Sequence, residues 1–314
     1  MNRIIIHAIS LITVILFFGC TTTETIKNGE GFIAVTGGQI WYKVTGEGNK
    51  TPIILLHGGP GYPSYYLNAL MVLGKDRPVV LFDQLGCGRS GRISDTALMT
   101  IENYMEQVKA LVSALKIKEF YLYGHSWGTM LGTDYYLKHP AGIKAILLAS
   151  PCLSAGLWVK DADTLIATLP DSIQTILNQS KKNIIADTFK FYSAVEYYSK
   201  KFYTLNPAPS ADLDSAAAQI GNNVYEYMWG NSEFFSTGTL KNYDRTADLK
   251  NIKVPVLYIT GEFDAARPAT VTYYQSLTPN SKLVVIKNAG HMTMHDNPEE
   301  NSKAISDFLN ELEK

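Results

Sequence analysis

Apolar residues in this chain come in short, dense blocks. Residues 53–56 (Ile-Ile-Leu-Leu), 79–82 (Val-Val-Leu-Phe), 120–123 (Phe-Tyr-Leu-Tyr) and 145–149 (Ala-Ile-Leu-Leu-Ala) are continuous runs without polar alternation. Runs this short, bounded by turn residues, read as strands buried on both faces. Stretches 101–115 and 127–138, which lie between such runs, carry helical spacing. Ahead of them, 32–35 and 39–45 form two further strands separated by Gly37-Gly38, a hairpin signal. Alternating strand and helix predicts a mostly parallel sheet covered on both faces, an α/β fold. The pattern changes after Pro151. Residues 153–242 contain no strong strand but carry helix-like stretches at 161–169, 172–178 and 188–203, rich in aromatics. Alternation then resumes with strands at 256–260 and 283–287 and an amphipathic helix at 299–312. The layout is a core of eight strands (30–152 and 243–314) with a helical cap inserted after the sixth strand (153–242). An ordinary packed helical layer is the alternative to a cap.

The N-terminus follows different rules. Arg3 precedes an apolar run over 4–18 broken only by His7, Ser10 and Thr13, and the run stops at Phe17-Phe18-Gly19-Cys20 before a polar segment. A bilayer span needs about 20 apolar residues, so residues 1–20 read as an export signal. Glycine before cysteine at its end resembles a bacterial lipoprotein signal, in which Cys20 carries lipid and becomes the new N-terminus. The Phe pair departs from the stricter form of that motif. An ordinary cleaved signal and an uncleaved anchor are the alternatives. Residues 21–29 then form a tether, and the expected location is the bacterial periplasm or a membrane to which Cys20 anchors the chain. The formal net charge of -1 gives no reason to expect nucleic acid or an acidic membrane surface as a partner. Cys87 and Cys152 show no metal spacing and read as small buried packing residues. No metal or cofactor is expected.

The sharpest chemical signal is Gly124-His125-Ser126-Trp127-Gly128, a G-x-S-x-G element between a predicted strand and a predicted helix. That context marks a nucleophile elbow, in which a tight turn lifts the serine hydroxyl clear of the sheet. A hydroxyl needs a base to take its proton. In this architecture the acid and then the histidine follow the serine along the chain. Asp264 lies in the loop after the strand at 256–260, and His291 in the loop after the strand at 283–287. Of their neighbours, Glu262 at the strand end reads as structural. His295 is less well placed than His291, which Gly290 adjoins in the loop. His57-Gly58-Gly59-Pro60-Gly61 follows the strand at 53–56, where backbone N–H groups of an oxyanion hole are expected; the N–H groups of Gly59 and Trp127 are assigned there. Asp83-Gln84-Leu85-Gly86-Cys87-Gly88-Arg89-Ser90 lacks the lysine of a phosphate loop and reads as a structural turn beside the site.

Together these segments, with Gly230-Asn231-Ser232-Glu233-Phe234, Gly238-Thr239-Leu240 and Gly261-Glu262-Phe263-Asp264-Ala265-Ala266-Arg267-Pro268, resemble the proline iminopeptidases and the related tricorn-interacting aminopeptidases. The likeness runs in order along nearly all of the chain after the leader. It implies an α/β-hydrolase fold and a serine aminopeptidase that releases N-terminal residues, often proline, from short peptides. It also implies that Glu233 holds the substrate's protonated amine. Related enzymes often carry a second acid directly after the catalytic aspartate, and here that position is Ala265. The anchor would then rest on Glu233 alone or be shared with another cap acid such as Glu196 or Glu226. An esterase, lactonase or amidase of the same fold is the second reading. A non-catalytic binding protein on a hydrolase scaffold is the third, and the intact triad argues against it.

Overall fold

The computed structural model describes residues 26–181, 187–205 and 210–314. The leader, Cys20 and most of the tether lie outside the described residues. Among the described residues no helix is long and apolar enough to cross a membrane.

Eight strands form one sheet: β1 (Gly29–Val35), β2 (Gly38–Thr45), β3 (Ile53–Leu56), β4 (Val79–Phe82), β5 (Phe120–His125), β6 (Ile143–Ala149), β7 (Val256–Gly261) and β8 (Ser281–Ile286). Their spatial order is β1-β2-β4-β3-β5-β6-β7-β8. The β1–β2 hairpin and its pairing to β4 are antiparallel, and every other pair is parallel. β3, β4, β5 and β7 are buried at every position, which is why their sequences run apolar without alternation. β8, an edge strand, differs. It spans Ser281–Ile286 where 283–287 was predicted, because its polar start faces solvent and Lys282 pairs with Glu311 at 2.6 Å. β1 likewise begins at Gly29, three positions before the apolar signal, since antiparallel pairing of Gly29 with Val44 needs no apolar side chain.

Helices α1 (Ile101–Ala114) and α2 (Trp127–Lys138) pack on the sheet. Thr100 caps α1 by accepting a hydrogen bond from the Asn103 N–H. Between β6 and β7 the chain runs through α3 (Ala155–Ile166), α4 (Asp171–Ser180), α5 (Thr188–Phe202), α6 (Ala211–Ala218) and α7 (Asn222–Met228). The core closes with α8 (Pro268–Leu277), α9 (Thr293–Asp296) and α10 (Pro298–Leu312). α3 begins at Ala155 where 161 was predicted, because Ser154 caps it through the Leu157 N–H. The short α6 and α7 and the 3-10 run Ser64–Lys75 had no clear period. α6 buries only Ala216, too little to print a stripe on the sequence.

Candidate active site

Ser126 sits between β5 and α2 with φ 54° and ψ -122°. That is a region L side chains rarely adopt and one that costs on the order of 1–3 kcal/mol. The neighbouring packing enforces it. A Cβ on Gly124 would lie 2.3 Å from the Gly128 carbonyl oxygen, and one on Gly128 would lie 2.2 Å from that of Leu56. Only glycine at both positions lets the turn press this closely against β3. The Ser126 carbonyl accepts from the Thr129 N–H and hydroxyl, and its N–H donates to Ala149, so the backbone is held on both sides.

The β7 and β8 loops bring Asp264 and His291 together. His291 Nδ1–H donates to Asp264 Oδ1 at 2.8 Å, and both side chains are buried. Asp264 Oδ1 also accepts the Ala266 N–H at 2.8 Å, while Oδ2 accepts the Gly261 N–H at 3.2 Å and the Thr260 hydroxyl at 3.1 Å. Burial opposes ionisation of this carboxyl, but the neighbouring imidazole, helped by the Ala266 N–H, outweighs it and holds the group below the usual carboxylate range. With Nδ1 engaged, Nε2 is the nitrogen left to accept a proton. His291 and Ser126 line one cavity of ≈ 550 Å³. A recess of ≈ 20 Å³ opens on another side of Ser126 and is walled by Gly59, Trp127, Met130, Trp158, Trp229 and Glu233. Gly59 and Trp127 thus line the same recess as the serine. Trp127 opens α2, so its N–H has no acceptor within the helix.

Glu233 lines both spaces. Its Oε2 accepts the Tyr203 hydroxyl at 3.0 Å, and its Oε1 accepts the Tyr225 hydroxyl. The Glu233 carbonyl accepts the Trp158 indole N–H at 3.0 Å. The sequence reading missed these tyrosines, which only the folded cap brings together. It also erred in its alternatives. Glu196 is solvent-exposed and paired with Lys200 at 2.6 Å, and Glu226 is exposed on α7; neither lines the recess or the cavity. Ala265 is buried, so the second acid position offers no charge. Beside Glu233, the described cap acid that lines the cavity is Asp214. Glu262 accepts the Asn288 N–H and His295 bonds to the Tyr66 carbonyl, so both serve the scaffold. Cys87 and Cys152 are buried free thiols. Among the described residues no cluster could hold a metal.

Residues 51–298 match the family model described as the alpha/beta hydrolase fold. A proline iminopeptidase of Heyndrickxia coagulans is 43% identical over 90% of this chain and 99% of its own length. One from Clostridium botulinum is 31% identical over 91% and 99%. The crystal structure of the Mycobacterium smegmatis proline iminopeptidase superposes with a TM-score of 0.84 at 27% identity, covering 90% of this chain and 98% of that one. The chain belongs to the proline iminopeptidase family of α/β-hydrolases.

Two features of this hydrolase tie the site together. The first is a buried relay. Gly58 N–H donates to the Tyr66 hydroxyl at 2.8 Å, Tyr66 meets His125 Nδ1 at 2.9 Å, and His125 Nε2 meets the His291 carbonyl at 2.9 Å. A carbonyl only accepts, so Nε2 carries the proton. Nδ1 therefore accepts, and the tyrosine O–H is the donor. Burial, then the neighbouring His291, push the His125 pKa down to about 3, which keeps this tautomer uncharged. The loop bearing Gly59 and the backbone of the base are thus linked through the residue beside Ser126. Tyr66→Phe should leave the Gly58 N–H and the His125 nitrogen unpaired, costing about 1–3 kcal/mol for each. Urea denaturation should show a lower midpoint with an unchanged slope; an unchanged midpoint would refute the relay.

The second feature joins cap to core. The Phe202 carbonyl, at the C-terminus of α5, accepts the N–H groups of Ala265 (3.2 Å) and His291 (2.9 Å), and the Tyr203 carbonyl accepts that of Met292 (2.8 Å). The last carbonyls of a helix have no partner within it. Here the loops bearing Asp264 and His291 supply the donors.

Proposed function

We propose that this chain is a serine aminopeptidase that releases an N-terminal residue, proline above all, from short peptides. The observation that carries the reading is the Glu233 carboxylate, fixed by two tyrosine hydroxyls on the wall of the small recess that also borders Ser126. A protonated secondary amine set beside it gains charge-assisted hydrogen bonds, and Trp158, Trp229 and Met130 offer apolar surface next to that carboxylate. The relatives' names support the same substrate.

The reaction follows from the geometry. Ser126 Oγ attacks the carbonyl of the first residue while His291 Nε2 takes its proton, and Asp264 steadies the imidazolium. The Gly59 and Trp127 N–H groups receive the oxyanion. The tetrahedral adduct collapses, the C–N bond breaks, and His291 returns the proton to the departing amine. Water, deprotonated by the same imidazole, then attacks the acyl ester and frees Ser126. Export with lipid on Cys20 is part of the proposal and rests on the leader sequence; the mass of the processed N-terminus tests it.

Glu233→Gln should raise KM for proline arylamides by about 10- to 100-fold, the scale of one hydrogen bond to a charged group. It should change KM for N-blocked esters less than about twofold. Equal effects on both substrates would remove the amine from the reading. They would favour the ester or amide hydrolase that the apolar Ala265 position also accommodates.

A further inference from the structure

Glu233 is not the only carboxylate facing the reaction space. Resting on the aminopeptidase reading above, we propose that Asp214 forms a leaving-group subsite that selects peptides with a cationic residue directly after the scissile bond. The two spaces around Ser126 are unequal. The recess of ≈ 20 Å³ has room for little more than a water-sized group, too little for a peptide, and Glu233 stands on the wall of both spaces. The rest of the peptide, which becomes the departing amine, has only the cavity of ≈ 550 Å³ to occupy. That cavity is walled largely by Tyr62, Leu213, Ala217 and Ile220 on the side where Asp214 lies. Among its described lining residues there is no lysine or arginine. Asp214 and Glu233 are its carboxylates, and Glu233 is committed to the amine.

The fold keeps Asp214 available. It lies in the first turn of α6, where the helix dipole favours a negative charge. Its neighbour Asp212 turns instead to the core, accepting a hydrogen bond from Asn68 Nδ2 at 2.8 Å. The charge of Asp214 is felt across the cavity wall at Tyr62, whose hydroxyl is pushed up to about 12 by burial first and by Asp214 second. A lysine or arginine side chain following the first residue would meet an unmatched carboxylate there, and a glutamate would meet repulsion. Asp214 is exposed, so solvent screens it. Attraction for one side chain and repulsion of the other together set a preference of about tenfold.

The test uses amide-capped Pro-Lys, Pro-Gln and Pro-Glu peptides with a neutral proline arylamide as reference. The wild type should show a Lys-to-Glu ratio in kcat/KM of about 10 at low salt, shrinking toward 1 in 1 M salt as the Debye length falls to about 3 Å. Asp214→Asn should bring the ratio to about 1, and Asp214→Lys should invert it. A ratio that Asp214→Asn leaves unchanged overturns the subsite, as does a uniform loss on all three peptides, which would instead make Asp214 a second amine anchor. Failure of the wild type to cleave the arylamide would reject the aminopeptidase reading itself, a different result from cleavage without charge preference.

Discussion

Ser126→Ala should lower kcat on proline arylamides by about 10⁴- to 10⁶-fold, the range seen when a serine-hydrolase triad loses its nucleophile. KM should stay close to the wild-type value, because the amine site at Glu233 and the walls of both spaces are untouched. The thermal midpoint should also hold, since alanine meets the same backbone strain at φ 54° that serine does. The residual rate reports what the oxyanion donors and binding achieve alone. A fluorophosphonate probe gives an independent readout, labelling the wild type and not the variant. Undiminished turnover in the variant, or a wild type inert to the probe, would end the nucleophile assignment and return the non-catalytic scaffold to consideration.

Asp264→Asn should cost about 10⁴-fold in kcat, and unlike the serine change it should also lower stability. The reason lies in the donors around the carboxylate. Oδ1 accepts the Ala266 N–H and Oδ2 accepts the Gly261 N–H. An asparagine amide has one oxygen and one NH₂, so either orientation sets the NH₂ against a backbone N–H. If the NH₂ takes the Oδ1 place, it also faces His291 Nδ1 and drives the ring proton to Nε2, where it can no longer accept from Ser126. If the NH₂ takes the Oδ2 place, the Gly261 N–H is orphaned in a buried site, costing about 1–3 kcal/mol. The measurement is kcat together with the thermal midpoint. A variant with normal kcat would show that Asp264 does not steady the base.

The placement of Ser126, Asp264 and His291 was legible in the sequence because each follows a strand end within a few residues, and the elbow glycines are demanded by contacts local to that turn. The strand blocks were legible because burial on both faces leaves no alternation to interpret. The cap was readable as helical but not as a binding surface. Tyr203, Tyr225, Glu233 and Asp214 come from separate cap elements, and no local pattern announces that they converge. Glu196 and Glu226, though, could have been set aside by helical phase. α5 buries Ala194, Tyr198 and Phe202, a stripe at four-residue spacing, and Glu196 falls midway between its members on the far side of the helix. α7 buries Val224 and Met228, and Glu226 stands in the same relation to them. Edge strands were misjudged at their ends because half-exposed positions tolerate polar residues.

The seam between α5 and the two catalytic loops is made of main-chain groups, so it is indifferent to which side chains the insertion carries. Replacement of nearly any residue lining the substrate space could alter preference while the imidazole stays registered to its carboxylate. Such a design lets one scaffold diversify its diet by mutation in a single segment, without re-solving the chemistry each time.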